Sequence, residues 1–277
     1  MTTLTAFFTL TRPGNALISG ISIFVAALIA GPVSEHAMPV AYAVISGMLI
    51  TAGANVINDW YDIDIDRVNR PERVLPSGRV RPQQALVFSI ILFVSGIIFS
   101  IFISYAALSI AVITSFLLVV YSAALKKMLL WGNLSVAFLG GLAFIYGALA
   151  GGDAAAGMVP AVFAFLFHLG REILKDAEDV RGDAQANADT LPIRYGWLRT
   201  RRIVTAVFVA LIAITIVPYA VGYYGLTYLL VVLPGVDGVL IIVLLYLWRR
   251  PDMPALRRVN IILKIDMLLG ILAVYLG

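Results

Sequence analysis

The chain contains no cysteine, and only 13% of its 277 residues are charged. The lack of cysteine excludes disulfides and thiolate metal sites. A soluble domain carries about 25% charged residues, so this charge content and a mean hydropathy of +0.96 indicate an integral membrane protein. The apolar runs are continuous and do not alternate with polar residues, which argues against a β-barrel. Residues 1–13 lack a basic segment ahead of an apolar run, so no cleavable signal peptide is expected.

Nine apolar stretches are long enough to form helices of about 20 residues that cross a bilayer. The predicted spans are Asn15–Ala30, Pro39–Asn58, Ala85–Ile103, Ala106–Leu125, Leu134–Ala150, Met158–Leu174, Ile203–Tyr223, Leu226–Trp248 and Val259–Leu276. They predict an all-α integral membrane fold with about nine transmembrane helices and an internal repeat. We expect a single domain over residues 1–277, with pseudo-repeat halves at roughly 1–125 and 126–277.

Lysine and arginine are missing from every second loop, near Glu35, Tyr105, Asp153 and Tyr224. The other loops and their flanks carry the basic residues Arg12, Arg67, Arg70, Arg73, Arg79, Arg81, Lys126, Lys127, Arg171, Lys175, Arg181, Arg194, Arg199, Arg201, Arg202, Arg249, Arg250, Arg257 and Arg258. Because basic loops remain in the cytoplasm, we expect a multi-pass plasma-membrane protein with a cytoplasmic N-terminus and an outside C-terminus.

Two acidic clusters repeat one another at a constant offset of 117 residues. They consist of Asp59, Asp62 and Asp66, and of Asp176, Asp179 and Asp183. Each has the spacing DxxDxxxD, lies at the predicted cytoplasmic end of a span and is followed by a Leu-Pro step. We interpret them as one site for divalent metal and diphosphate, built from two halves of a duplicated chain.

The clustered carboxylates need cations to neutralise them. On helices, each cluster would crowd its polar side chains onto one face, whereas Asp64 points elsewhere. The faces are Asn55, Asn58, Asp62 and Asp66 in the first cluster, and Glu172, Asp176, Asp179 and Asp183 in the second. Six aspartates at the bilayer midplane would cost about 15–20 kcal/mol, comparable to or larger than a folding free energy. We therefore expect them near the interface or a wet cavity, with all-oxygen ligands that suit Mg²⁺ or Mn²⁺.

Two other interpretations of the clusters stay open. They could be solvated loops of mixed charge, although the duplicated spacing argues against this. They could also belong to a cation or proton transporter, because repeats with intramembrane acids are common in that class. The acids gather at one surface with basic residues between them, which suits a bound polyphosphate better than a cation pathway.

Over nearly its whole length the chain resembles the UbiA-type intramembrane prenyltransferases. The family signature NDxxDxxxD matches Asn58 and the first three aspartates, and the second signature, DxxDxxxD, matches the other three. Further matched elements are Arg12, Pro13 and Asn15; Asn69, Arg70, Pro71, Arg73, Ser77 and Gly78; Tyr121, Ser122 and Lys126; and Gly132 with Asn133. The resemblance implies a helical bundle around a central cavity, in which the aspartates hold two Mg²⁺ ions that bind an isoprenyl diphosphate.

The resemblance also implies how the residues would act. An allylic diphosphate ionises once its leaving group is neutralised, and an acceptor then attacks C1. Lys126, Tyr121 and Arg67 are assigned to stabilise the departing diphosphate. The resemblance supports Lys126 and Tyr121, and adjacency to Asp66 supports Arg67. Asn15 and Asn58 are expected to contact substrate.

The acceptor is the least determined part of the function. The stretches Asn69–Gly78 and Gly170–Asp183 resemble the digeranylgeranylglyceryl phosphate synthase branch, which transfers geranylgeranyl to geranylgeranylglyceryl phosphate. Arg70, Arg73, Lys127 and Arg194 are then candidates to bind the acceptor's phosphate. A chlorophyll or bacteriochlorophyll synthase and an aromatic, quinone-precursor prenyltransferase are the alternatives. The expected partners are an isoprenyl diphosphate, a lipid-like acceptor and membrane lipids, with no nucleic acid.

Two charged residues inside the last predicted span have no place in this scheme. Lys264 and Asp266 are two positions apart, so they face different directions on a helix. We expect each to have a partner on another helix.

Overall fold

The computed structural model describes residues 3–185, 188–249 and 253–277, and all regular structure in these ranges is helical. The α-helices are α1 Thr3–Leu10, α2 Pro13–Ala30, α3 Val33–Tyr61, α4 Ile63–Asn69, α5 Pro82–Ile101, α6 Tyr105–Ala123, α7 Trp131–Ala150, α8 Met158–Gln185, α9 Leu191–Thr215, α10 Val217–Ala220, α11 Leu226–Val231, α12 Gly238–Arg249 and α13 Met253–Tyr275. Short 3₁₀ turns lie at Leu125–Lys127 and Ala154–Gly157, and a π-helix, Val232–Asp237, joins α11 to α12. Arg250, one of the basic residues used for topology, lies outside the described residues.

Eight helical segments in the described ranges are long and apolar enough to cross a membrane. They are Pro13–Ala30, Val33–Tyr61, Pro82–Ile101, Tyr105–Ala123, Trp131–Ala150, Ala154–Val180, Leu191–Ala220 and Leu226–Arg249. The ninth predicted span corresponds to α13, which is 23 residues long but less apolar because it carries Arg257, Arg258, Lys264 and Asp266. The prediction of an all-helical, multi-pass membrane protein is confirmed.

The helices divide into two compact units. The first unit comprises Met1–Lys126 and Leu142–Gly157, and the second comprises Lys127–Gly141 and Met158–Gly277. The predicted pseudo-repeat halves stay a prediction.

In the first unit, α3 packs against α2, α5 and α6. Buried hydroxyls join α3 to α5: Ser46 Oγ donates to the Gly96 carbonyl at 2.7 Å, and Ser89 Oγ donates to the Gly53 carbonyl at 2.9 Å. A Cβ on Gly96 would lie 2.7 Å from Ile50 Cγ1. Small residues and interhelical hydrogen bonds therefore hold α3 close to its neighbour, which fixes the helix that carries the first acidic cluster.

In the second unit, α8 packs against α9 and α13. A Cβ on Gly170 would lie 2.2 Å from Phe208 Cε1, so α8 and α9 approach closely at this point. Farther along α8, Glu178 Oε2 accepts a 2.6 Å hydrogen bond from Asn260 Nδ2 of α13. These contacts fix the end of α8 that carries the second acidic cluster.

Candidate active site

The first acidic cluster lies where α3 ends and α4 begins. The backbone leaves helical geometry at Asp62, with φ −91° and ψ 1°. The single helical face predicted to run from Asn55 to Asp66 is therefore interrupted at Asp62, and that part of the prediction is wrong. The Asp66 N–H still donates to the Asp62 carbonyl at 2.8 Å, so α4 continues almost directly from α3.

Two arginines from other parts of the first unit reach this cluster. Arg12, just ahead of α2, pairs with Asp59 Oδ1. Arg73 Nη1 lies 2.6 Å from Asp66 Oδ2 and 3.8 Å from Asp59 Oδ1. Asp59 and Asp66 are only 9% and 5% exposed, so these pairs neutralise carboxylates that are largely removed from water.

Lys126 supplies the third cation, from the 3₁₀ turn after α6. Its Nζ lies 2.5 Å from Asp62 Oδ1 and 3.4 Å from Asn58 Oδ1. Asn58 Nδ2 in turn donates to Asp62 Oδ2 at 3.2 Å. The structure therefore brings together Asn58, Asp62 and Lys126, which the sequence analysis had selected. Tyr121, also selected, is half-buried on α6.

Arg67 has a different neighbour from the one its sequence position suggested. Its Nη1 donates to Asp64 Oδ1 at 2.7 Å, and both side chains are mostly exposed. Adjacency to Asp66 thus does not describe the contact that Arg67 makes. Arg73, predicted to bind the acceptor's phosphate, takes the place beside Asp66 instead.

Two other predicted substrate contacts lie near the ends of helices in the first unit. Asn15 is half-buried in the first turn of α2, three residues after Arg12. Arg70 is exposed directly after α4.

The second acidic cluster lies on one continuous helix, α8, as predicted. Asp176 Oδ2 accepts a 2.8 Å hydrogen bond from Asn133 Nδ2 on α7, and Asn133 is 6% exposed. Asp179 is exposed and Asp183 is half-buried. Burial and the negative charge of Asp179 together raise the pKa of Asp183 to about 6, although Lys175 opposes the shift. The positive charge of Lys175 therefore does not offset the burial of Asp183.

Arg171 and Lys175 of α8 bind a different acid, Glu172. Arg171 Nη1 donates to Glu172 Oε1 at 3.1 Å, and Lys175 Nζ donates to Glu172 Oε2 at 2.7 Å. Glu172 is 6% exposed, so its two cations balance a buried charge one turn before Asp176.

Lys127 and Arg194, both predicted to bind the acceptor's phosphate, share Asp189 as a neighbour. The Lys127 carbonyl accepts from the Asp189 N–H at 2.8 Å. Arg194 Nη1 lies 3.4 Å from Asp189 Oδ2, and both side chains are about half exposed. The structure therefore brings these two basic residues to one place at the start of α9.

The carboxylates of both clusters are oxygen donors of the kind that Mg²⁺ prefers. Among the described residues, no three acidic or histidine side chains converge closely enough to hold one ion by themselves. Mg²⁺ usually takes one or two carboxylates and completes its coordination with phosphate and water. In the first cluster each aspartate already binds a cationic group. One or two carboxylates from these clusters, together with oxygens of a bound phosphate, would suit the coordination of Mg²⁺.

Arg12 and Asn133 are site residues to which the sequence analysis gave no role. Both belong to matched family elements, yet Arg12 is 47 positions from Asp59 and Asn133 is 43 positions from Asp176. Periodicity within one helix cannot connect such positions. The only sequence signal was their presence in short matched elements beside the start of a helix.

An apolar groove of about 980 Å³ lies between α1 and α5 in the first unit. It is lined by Leu4, Thr5, Phe7, Phe8, Thr11, Gln83, Gln84, Val87, Phe88 and Ile91. The Thr11 carbonyl accepts a 2.9 Å hydrogen bond from Asn55 Nδ2, and the next residue, Arg12, pairs with Asp59. One end of the groove therefore lies beside the first acidic cluster.

Comparisons with known proteins agree with this geometry. A family model described as the UbiA prenyltransferase family matches residues 19–266. The chain is 40% identical over 271 residues to a digeranylgeranylglyceryl phosphate synthase from Methanopyrus kandleri, with 97% of each chain covered. A solved structure described as digeranylgeranylglyceryl phosphate synthase in membranes is 32% identical, with a TM-score of 0.84 and coverage of 100% of this chain and 99% of that one. A UbiA homolog from Archaeoglobus fulgidus, bound to GPP and Mg²⁺, shares the fold at 16% identity, with a TM-score of 0.68 and coverage of 97% and 99%.

Proposed function

Because the chain belongs to the UbiA prenyltransferase family, we propose that it transfers a geranylgeranyl group from its diphosphate to the hydroxyl of geranylgeranylglyceryl phosphate. The product is an ether lipid. The observation that carries the chemistry is the set of ion pairs in the first cluster, where Arg12, Arg73 and Lys126 meet three aspartates. Family membership favours an enzyme over the cation transporter that the acids alone also allowed.

The six aspartates of the two clusters would hold Mg²⁺, and two ions are proposed. When bound, Mg²⁺ neutralises a diphosphate leaving group and orients it. Mg²⁺ and GPP are the ligands named for the Archaeoglobus fulgidus homolog, and their extension to this chain rests on the all-oxygen donor set. In the second cluster, the amide of Asn133 would fix the orientation of Asp176, as a hydrogen bond to a metal ligand commonly does.

The basic residues of the first cluster would bind the diphosphate once a metal ion takes their carboxylates. Lys126, Arg12 and Arg73 would then donate charge-assisted hydrogen bonds to the phosphate oxygens. The three cations would lie close to the donor, because the acids that they now bind are the proposed metal ligands. Arg67 is assigned a smaller part because it is exposed and paired with Asp64.

The reaction exchanges one carbon–oxygen bond for another. The bond between C1 and the diphosphate oxygen breaks, and its electron pair leaves with the diphosphate. The acceptor's hydroxyl oxygen then bonds to C1, and its proton passes to the released diphosphate or to a neighbouring carboxylate. Apolar walls exclude water from the allylic cation, which the apolar composition of the helices supports.

The acceptor's own phosphate needs cations that are not engaged by the donor. Lys127 and Arg194 suit this role because both lie beside Asp189 and outside the acidic clusters. Arg70 is exposed next to the first cluster and is the third candidate. The names of the relatives support this acceptor.

A competition assay tests the acceptor. The purified protein receives Mg²⁺, geranylgeranyl diphosphate and an equimolar mixture of geranylgeranylglyceryl phosphate, 4-hydroxybenzoate and a chlorophyllide, and mass spectrometry identifies the products. We expect the glycerol-phosphate ether to dominate. Preferential prenylation of the aromatic acid or the macrocycle would overturn this acceptor while leaving the family assignment intact.

We further propose that both acidic clusters open to the cytoplasm of a plasma-membrane protein, with the C-terminus outside. Single cysteines at Ser77 and Asp153 test this, because the natural chain has no cysteine. A membrane-impermeant thiol reagent should label position 77 only from the cytoplasmic side and position 153 only from outside. Labelling of both positions from one side would contradict the topology. Asn187, a useful third position by sequence, lies outside the described residues.

A further inference from the structure

In the second unit an arginine of α9 stacks on a tryptophan of α12, and the proposed reaction uses neither residue. The Arg201 Cζ lies 3.9 Å from the ring centre of Trp248. Arg201 Nη1 donates to the Leu247 carbonyl at 3.3 Å, and Trp248 Nε1 donates to Thr205 Oγ1 at 3.1 Å. These contacts hold the guanidinium group of Arg201 against the end of α12.

Arg201 is half-buried and forms no ion pair with the acids of the described residues. Its Nε is buried and has no hydrogen-bond partner there. Arginine does not lose its proton in proteins, so, unlike a buried carboxyl group, it stays charged. Neither α9 nor α12 contains an aspartate or a glutamate. Any negative charge that balances Arg201 therefore comes from another element or from a ligand.

The acids of the neighbouring π-helix and of α13 do not supply that charge. Asp237 is 2% exposed and accepts a hydrogen bond from Thr215 Oγ1 at 3.0 Å. Asp266 is equally buried, and both of its carboxyl oxygens lack a partner among the described residues. Lys264 is exposed and forms no ion pair within the same ranges. The partners that the sequence analysis expected for Asp266 and Lys264 on other helices are therefore not found there.

Two further arginines flank the stacked pair, and both are exposed. Arg202 follows Arg201 on α9, and Arg249 follows Trp248 at the end of α12. Neither forms an ion pair within the described ranges. Guanidinium groups bind phosphate oxygens through paired hydrogen bonds. The ends of α9 and α12 thus offer positive charge of a kind that suits a phosphate group.

The surface beyond these arginines is apolar. Val209 on α9 and Ile242 and Leu245 on α12 are each more than half exposed. Both helices belong to segments that are long and apolar enough to cross a membrane. Trp248, which is 45% exposed, follows the apolar residues of α12 and precedes Arg249, as is common at a membrane interface. A ligand that covers this surface therefore needs an anionic group joined to an apolar body.

We propose that an anionic phospholipid of the surrounding bilayer binds this edge of α9 and α12. Its phosphate lies at Arg201, Arg202 and Arg249, and its chains lie on the apolar surface. Charge complementarity selects an anionic lipid over a zwitterionic one, because no acid of the described residues offsets the three arginines. Free phosphate would leave the apolar surface uncovered. None of these residues takes part in the proposed prenyl transfer.

Thermal unfolding in a non-ionic detergent tests the lipid, with phosphatidylglycerol, phosphatidylcholine or inorganic phosphate added in turn. A ligand that binds only the folded state raises the Tm with its concentration. We expect phosphatidylglycerol to raise the Tm of the natural protein more than either of the others. No rise with phosphatidylglycerol overturns the proposal. An equal rise with phosphatidylcholine or with inorganic phosphate also overturns it, because the ligand would then need no negative charge or no chains.

Single variants test the arginines. Arg202→Gln and Arg249→Gln should each raise the phosphatidylglycerol concentration for a half-maximal Tm shift by about fivefold, the effect of one basic residue near anionic lipid. Arg81→Gln is the matched control, because it removes the same charge from an exposed arginine of the first unit, and it should leave this concentration unchanged. Equal effects of the three variants would assign the response to net charge and overturn the site.

Native mass spectrometry provides a second measurement that does not depend on unfolding. It counts the lipid molecules that stay bound when the protein is released from detergent. We expect the natural protein to retain one more phosphatidylglycerol than the double variant Arg202→Gln/Arg249→Gln from the same lipid mixture. Equal retention by the two proteins would overturn the proposal.

Discussion

In the first acidic cluster, arginine or lysine pairs with each aspartate, whereas in the second cluster Asp176 is held by the neutral amide of Asn133. Arg171 and Lys175, on the same helix as the second cluster, bind Glu172. The spacing of the aspartates is the same in both. Repeated spacing therefore places carboxylates alike without determining what neutralises them. A metal ion that bound the first cluster would have to displace a basic side chain, whereas at the second cluster it would meet Asp176 beside the neutral amide of Asn133.

The backbone differs between the clusters in the same way. The first cluster spans a break at Asp62 between α3 and α4, and Asp62 pairs with Lys126 whereas Asp66 pairs with Arg73. The second lies on the uninterrupted α8, so its polar face points one way. The first cluster is thus adapted to gather basic residues and the second to present acids.

The largest effect should come from removing a proposed metal ligand in either cluster. Asp62→Ala, Asp66→Ala, Asp179→Ala and Asp183→Ala should each lower kcat by about 1,000-fold, since a metal-stabilised leaving group is worth several kcal/mol. Asp64→Ala should have little effect, because Asp64 is exposed and pairs with Arg67. Prenyl-transfer rates of each variant and of the natural protein, with and without a chelator of divalent metal, measure these effects. Full activity of the Asp179 and Asp183 variants would show that only the first cluster holds metal.

The second-largest effect should distinguish Lys126, which pairs with Asp62, from Lys175, which pairs with Glu172. Lys126→Met should lower kcat by about 100-fold, as expected for loss of one charge-stabilising donor. Lys175→Met should lower kcat by less than about 10-fold, because the Lys175 ammonium binds Glu172 and not a proposed metal ligand. Single-turnover rates at saturating donor give the comparison. Equal losses in the two variants would contradict the view that the first cluster supplies the cations for catalysis.

A smaller effect should follow from removing the hydrogen bond that Asn133 donates to Asp176. Asn133→Ala should raise the Mg²⁺ concentration for half-maximal activity by about 10-fold, with kcat recovered at high Mg²⁺. Asn260→Ala is the matched control, because Asn260 also donates to an acid of α8, but to Glu178. A change in kcat that high Mg²⁺ does not restore would assign Asn133 to stability rather than to positioning of Asp176.

The smallest effect concerns the acceptor. Arg194→Gln should raise the KM for geranylgeranylglyceryl phosphate by about fivefold, as for an exposed ion pair worth about 1 kcal/mol, and leave the donor KM unchanged. Arg199→Gln, exposed on the same helix, should change neither. Steady-state kinetics with each substrate varied in turn provide the test. A larger change in the donor KM would move Arg194 to the diphosphate.

Sequence reasoning found the helices and the carboxylates because both obey local rules. Apolar length fixed the spans, and periodicity placed the second cluster on one face of α8. Long-range pairing could not be predicted in this way: Arg12 and Asn133 are 47 and 43 positions from the aspartates that they contact. The break at Asp62 was also missed, since nothing in the residues around it forbids a continuous helix. Arg67 shows the same limit, because its neighbour in sequence is not its partner in space.

The ion pairs of the first cluster have a thermodynamic consequence for ligand binding. If Asp62 binds the proposed metal ion, Lys126 would lose its partner, and its ammonium would gain an anion when a diphosphate binds. Each ligand would then increase the affinity for the other, and the coupling free energy would be the same whichever binds first. Metal without diphosphate would leave unpaired cations, and diphosphate without metal would meet carboxylates that repel it. The three salt bridges would thus couple the binding of metal and donor.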